Sequence, residues 1–164
     1  MFKRLGFAGQ KPSDYAGTEP HIDLRQHLSG VMKSEGIIYG PAGRVVSRFV
    51  ADMEGIWTGN TGELRENYRF ADGKTDARAW SIEMSDDGSY KALAEDLVGE
   101  ARGQMSGMAA QSRYKIRLGP KGGNHVVSVN DWMYMSENGV ILNRSQFRKF
   151  GMKVGELIAT IRPV

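Results

Sequence analysis

The stretch ENYRFADGKTDARAW, Glu66–Trp80, decides the fold. Its middle, ADG (Ala71–Gly73), is tight-turn chemistry, and apolar residues alternate in both flanks as they do in β-strands. A three-residue loop with Gly73 left-handed pairs Phe70 with Lys74, Tyr68 with Asp76, Glu66 with Arg78 and Leu64 with Trp80. A two-residue DG turn would slip the register by one and send Glu66 and Arg78 to opposite faces. The longer loop is preferred because it gathers Leu64, Tyr68, Phe70, Trp80 and Ile82 on one face. An acid and an arginine then meet on the apolar side of the sheet.

The same arithmetic applies to NDWMYMSENGVILNR, Asn130–Arg144. With SENG as a four-residue loop, Met135 pairs with Val140, Met133 with Leu142 and Asp131 with Arg144. A second acid–arginine pair thus falls on a face of Met, Val and Leu. Trp132 and Tyr134 take the opposite face, beside Ile141 and Asn143.

Working outward, turn signals recur from Tyr39 to Met152: YGPAGR, TGNTGE, ADGK, SDDGS, LVGE, LGPKGGN, SENG and KFGM. The stretches between them predict nine strands, over about 30–39, 44–57, 63–71, 74–84, 89–97, 100–118, 124–135, 140–148 and 152–161. The one over 100–118 is long enough to bend or split. Every connection is short, which permits hairpins and excludes helical crossovers. An antiparallel meander of this length closes or leaves exposed edges, and closure removes the edges. The fold class is therefore all-β, an up-and-down barrel of about eight to ten strands, with a two-sheet sandwich as the alternative. Residues 1–29 form a loose N-terminal arm, with PHIDLRQHLSG (Pro20–Gly30) as a short helix or turn before the first strand, and 30–164 form the single barrel domain.

Three other stretches have plain structural readings. In GEARGQMSG (Gly99–Gly107) alternation puts small residues on one face, leaving space or letting another segment, such as the arm, pack closely. GPKGGN (Gly119–Asn124) is a hairpin turn and lacks the ending of a phosphate loop. SRYKIRL (Ser112–Leu118) sets Arg113, Lys115 and Arg117 outward and Tyr114, Ile116 and Leu118 inward.

Composition narrows the function. Lys and Arg total 22 against 19 Asp and Glu, and the positive charges are scattered, so no nucleic-acid partner is expected. Cys is absent and the three His are not at ligand spacing, so neither a metal nor a cofactor is expected. No apolar run spans a membrane, and the basic start lacks the apolar core of a signal peptide. A cytoplasmic location follows as the simplest expectation. The nine Met suit an adaptable apolar lining.

From Gly30 onward the order of GRVVSRF (Gly43–Phe49), GIWTG (Gly55–Gly59), ENYRFADGKTDARAW, DLVGEARG (Asp96–Gly103), NDWMYM (Asn130–Met135) and NRSQFRKFGMKVGEL (Asn143–Leu157) resembles a bacterial family of unknown function whose members are described as lipoproteins. The resemblance covers most of the chain and implies a lipocalin-type, calycin-like barrel. The association of its members with lipid-modifying and stress-related genes implies a lipid-like ligand. This chain has no Cys to acylate, so it departs from the lipoprotein description.

Together these readings describe a binding protein without catalytic residues. Glu66, Tyr68, Arg78, Trp80, Asp131, Met133, Leu142 and Arg144 are the candidate ligand-binding residues. Apolar walls hold the body of a small, fatty-acid-like amphipathic molecule, and Arg78 or Arg144 meets its carboxylate or phosphate. Two alternatives stand beside it: an isomerase or hydrolase using the same cavity, and a structural protein with a filled barrel.

Overall fold

The computed structural model describes residues 4–119 and 123–164. The hairpin reading of GPKGGN therefore lies partly outside the described residues. Ten strands run in chain order: β1 (Gly30–Tyr39), β2 (Val45–Thr58), β3 (Thr61–Phe70), β4 (Thr75–Met84), β5 (Ser89–Leu93), β6 (Ala101–Ser106), β7 (Ala109–Arg117), β8 (Val126–Met135), β9 (Ile141–Lys149) and β10 (Met152–Pro163). Each is antiparallel to its chain neighbours, and β1 pairs with β10. The result is a closed up-and-down barrel of lipocalin type with no free sheet edge, which excludes the sandwich. The stretch expected over 100–118 splits into β6 and β7, with Gly107 and Met108 turning between them. The strand expected over 89–97 ends at Leu93, and the connection Ala94–Glu100 touches the sheet again through a single bridge, Leu97 to Ile116 of β7. No helix among the described residues is long and apolar enough to cross a membrane.

The two hairpins read from sequence come out differently. At ADG, Phe70 N–H donates to Lys74 O at 2.8 Å, Gly73 is left-handed at φ 88°, and Glu66 pairs with Arg78 as expected. At SENG, Ser136 N–H donates to Val140 O at 2.9 Å, so Ser136 is still paired and the loop is Glu137–Gly139. Gly139, at φ 82°, fills the position that Gly73 fills in the first hairpin. One residue fewer in the loop slips the register by one: Asp131 pairs with Ser145, Met133 with Asn143, Trp132 with Arg144 and Tyr134 with Leu142. The expected Asp131–Arg144 pair does not form. Arg144 and Leu142 face outward.

The segment before β1 is not a loose arm. It carries two short 3₁₀ turns, Phe7–Gly9 and Pro12–Tyr15, and a single-turn helix α1, Leu24–His27, capped by Asp23. Its first part lies on the outer wall, where Phe7 and Tyr15 cover Ala109, Trp132 and Tyr134. The hydroxyls of Tyr15 and Tyr134 both donate to Gln10 Oε1. Trp132, an outward residue of β8, is fully buried for this reason. The small residues of β6 face inward, where Ala101 lines the interior and Gly103 lies under the Tyr90 ring; the arm meets Gly107 in the following turn, where Ile22 N–H donates to Gly107 O at 2.9 Å.

The end of the arm closes the barrel. Leu24 and Leu28 are 1% and 3% exposed and pack against Met32, Met53 and Leu64 in the core. Trp57 Nε1–H donates to Leu28 O at 3.0 Å. The arm passes so close to β2 that a Cβ on Gly55 would lie 1.7 Å from Leu28 O, so only glycine fits there. Leu24→Ala is expected to destabilise the chain by about 2–5 kcal/mol in urea unfolding, as deletion from a packed core does. Leu5→Ala, on a side chain 85% exposed, should leave the midpoint unchanged.

Candidate functional site

Strand alternation puts every second side chain inside the closed sheet, and the interior holds a cavity of about 600 Å³. One end is sealed by Leu24, Leu28, Ile82 and Ile161, all buried. At the other end the lining reaches Tyr39, Gly40, Pro41 and Val46. Val46 is 67% exposed, so the cavity meets solvent here. The walls between are mostly apolar, with Phe49, Phe70, Ile116, Val127 and Leu157 prominent.

Six of the eight predicted residues line this cavity: Glu66, Tyr68, Arg78, Trp80, Asp131 and Met133. Leu142 is 49% exposed on the outer wall. Arg144 Nε lies 2.6 Å from Glu156 Oε1, and its guanidinium stands 5.0 Å over the Phe7 ring, where it fastens the arm to the barrel. The slipped register puts Asn143 and Ser145 into the cavity in their place. The inward reading of Tyr114, Ile116 and Leu118 agrees with the lining.

A polar band crosses the apolar interior. Tyr68 O–H donates to Glu66 on β3. Arg78 on β4 faces Glu66 across the ladder but sends Nη2–H to Asp96 Oδ2, at 2.5 Å, in the connection between β5 and β6. Its guanidinium stacks 5.5 Å from the Trp80 ring, and Trp80 meets Tyr114 edge to face at 5.3 Å. On the opposite wall Asp131 accepts from Ser145 Oγ and, at 2.8 Å, from Asn143 Nδ2. Asp96 Oδ1 is buried with no hydrogen-bond partner among the described residues.

Burial sets the protonation of these groups. It raises the Glu66 carboxyl above its ordinary value, outweighing the opposing effects of the Tyr68 hydroxyl and the Arg78 charge. It raises Asp131 likewise, against the bonds from Ser145 and Asn143. Tyr68 and Tyr114 are pushed well above the usual phenol range, again by burial, and both stay neutral donors. Burial works against the Arg78 charge too, but Asp96 and Glu66 outweigh it, and the guanidinium is held above its ordinary value. The band therefore presents the Arg78 cation, two carboxyls whose ionisation burial disfavours, and neutral hydroxyls.

Sequence reasoning missed Asp96, Asn143 and Ser145. Asp96 falls within the strand expected over 89–97, but β5 ends at Leu93 and Asp96 lies in the connection that follows, where its direction comes from the contact with Arg78. Asn143 and Ser145 were within reach, because applying the three-residue loop of ADG to ENG turns both inward.

Residues 1–163 match a family described as "Protein of unknown function (DUF3833)". Among solved structures, the chain is similar to the S-type phycobiliprotein lyase CPES from Guillardia theta, with a TM-score of 0.59 and 6% identity over 86% of this chain and 90% of that one. A redesigned β-barrel overlays with a TM-score of 0.45 and 11% identity, over 85% and 94%. At such identities the likeness is one of fold. No curated protein matches the sequence.

The raised carboxyls make a pH prediction. A group whose folded pKa lies above its unfolded value contributes stability that is fully present below the unfolded value and is lost as pH rises through the folded one. For Glu66 the loss begins near 4.5 and extends upward. Exposed carboxylates such as Asp52, held low by Arg69 and Lys33, act in the opposite sense, so the informative quantity is a difference. Relative to Glu66→Gln, the wild type should lose melting temperature as pH rises from this value. Parallel melting curves at every pH would contradict the assignment.

Proposed function

Because the chain belongs to the family of proteins of unknown function DUF3833, the site must speak for itself, and we propose that it is a non-enzymatic binding protein for a small amphipathic, anionic molecule held inside the barrel. The observation that carries this reading is a cavity of about 600 Å³ whose mostly apolar walls converge on one guanidinium, Arg78. That volume lies within the roughly 300–1,000 Å³ of small-molecule sites. The apolar body of the ligand packs against Phe49, Phe70 and Leu157, and its carboxylate or phosphate accepts from Arg78 and Tyr114. Burial disfavours the ionised form of Glu66 and of Asp131, which lessens their repulsion of an anion. The space inside the barrel argues against a purely structural, filled interior. The phycobiliprotein lyase of similar fold is consistent with a small-molecule ligand, without indicating its type.

One observation favours a second reading, an isomerase or hydrolase using this cavity. Glu66 is hydrogen-bonded to the neutral Tyr68 hydroxyl and not to Arg78, and its pKa is raised, the setting of a general acid. Incubation of the protein with its co-purified molecule separates the two: chemical change abolished by Glu66→Gln identifies an enzyme.

For the binding reading the test is titration of a fatty acid and the matching alcohol against wild type and Arg78→Met, after both are shown to be folded. Charge-assisted hydrogen bonds contribute roughly 1.5–3 kcal/mol, so the acid should lose about tenfold or more in affinity and the alcohol little. Equal loss for both ligands would reduce Arg78 to a support of the barrel wall.

A further inference from the structure

The open end of the barrel carries a second feature that the cavity does not use. Phe150, at the tip of the β9–β10 turn, is 90% exposed. Its backbone is left-handed, φ 52°, a conformation that disfavours a bulky side chain. An aromatic ring in such a position gains nothing from packing. Met152 follows at 67% exposed, and Val45 and Val46, on the adjoining β1–β2 side, are 47% and 67% exposed. The pairing of Tyr39 with both Val45 and Glu156 puts these two hairpins side by side.

Register makes them the most projecting part of this side of the mouth. Phe70 pairs with Phe49 and the turn residue Ala71 donates its N–H to Arg48 O, so β2 continues beyond the last contact with the β3–β4 turn by Val45, Val46 and Ser47. The acidic Asp72 and Asp76 therefore sit back from the rim. The rim itself is basic. Lys149 Nζ stands 5.4 Å from the Phe150 ring, Lys153 is exposed, and Arg44 has no ion-pair partner among the described residues. Glu156, the acid nearest in sequence, is taken up by Arg144 and Lys153.

Apolar tips flanked by Lys and Arg, set at one side of an opening, match an anionic bilayer surface, where rings enter the headgroup boundary and cations meet lipid phosphates. We propose that this rim, Val45, Val46, Phe150 and Met152 with Arg44, Lys149 and Lys153, docks the barrel mouth-down on anionic membranes. The inference does not depend on which ligand the cavity holds.

Co-sedimentation with phosphatidylcholine vesicles, with and without phosphatidylglycerol, tests it. The wild type should bind the phosphatidylglycerol vesicles at low ionic strength and release them at high salt. Phe150→Asn suits the left-handed backbone and keeps the fold, yet removes the ring, and should weaken vesicle binding about tenfold. Leu142→Asn, on a similarly apolar but lateral residue, should not. Ligand titration without vesicles should be unchanged in Phe150→Asn, which separates failure of docking from failure of the cavity reading. No binding to either vesicle, or equal binding by wild type and Phe150→Asn, overturns the proposal and leaves the rim to a protein partner.

Discussion

Eight backbone pairings, from Met32↔Pro163 to Tyr39↔Glu156, join the first strand to the last. With this ladder in place there is no sheet edge, and every strand has a fixed inside and outside. Without it β1 and β10 would expose unpaired amides, and the interior would open to water. The cavity exists because ten strands enclose more room than their inward side chains fill. Small residues help: Ala92, Ala101 and Gly155 all line it.

Closure also forces choices on polar residues. Alternation turns Glu66, Arg78 and Asp131 inward whether or not the interior suits them, and an unpartnered buried charge is expensive. Each is answered within reach. Glu66 takes Tyr68 from its own strand, Asp131 takes Ser145 and Asn143 from β9, and Arg78 takes Asp96 from the connection after β5. Removing one partner of such a set costs more than the set contributes, so these residues specify the interior more than they stabilise it. The same arrangement leaves Arg78 with donors to spare, which is how a wall built for closure also serves as a site.

The fold was legible because its cause is local. Turn signals at regular spacing and period-two alternation fix hairpins, and the ADG hairpin came out residue for residue, Glu66 opposite Arg78. The ENG hairpin was misread by one position, since Ser136 has the polar look of a loop residue but is hydrogen-bonded as the last of its strand. That one step removed Arg144 and Leu142 from the site and hid Asn143 and Ser145. The short helix before β1 was legible, but the packing of the arm was not, for a different reason. Its apolar residues, Phe7, Ile22, Leu24 and Leu28, are too sparse to show a period, and their burial depends on a barrel that forms from distant sequence. Asp96 belongs with them, because its role comes from a contact with β4 that no turn rule predicts.

The central claim is that the closed barrel holds one small amphipathic molecule against Arg78. Native mass spectrometry of the chain isolated from its own host tests this most directly, beside a variant in which Ala92→Phe fills the cavity. The account predicts a single small-molecule adduct on the wild type that is absent from the folded, filled variant. A bare wild-type chain, or the same adduct on both proteins, would contradict it.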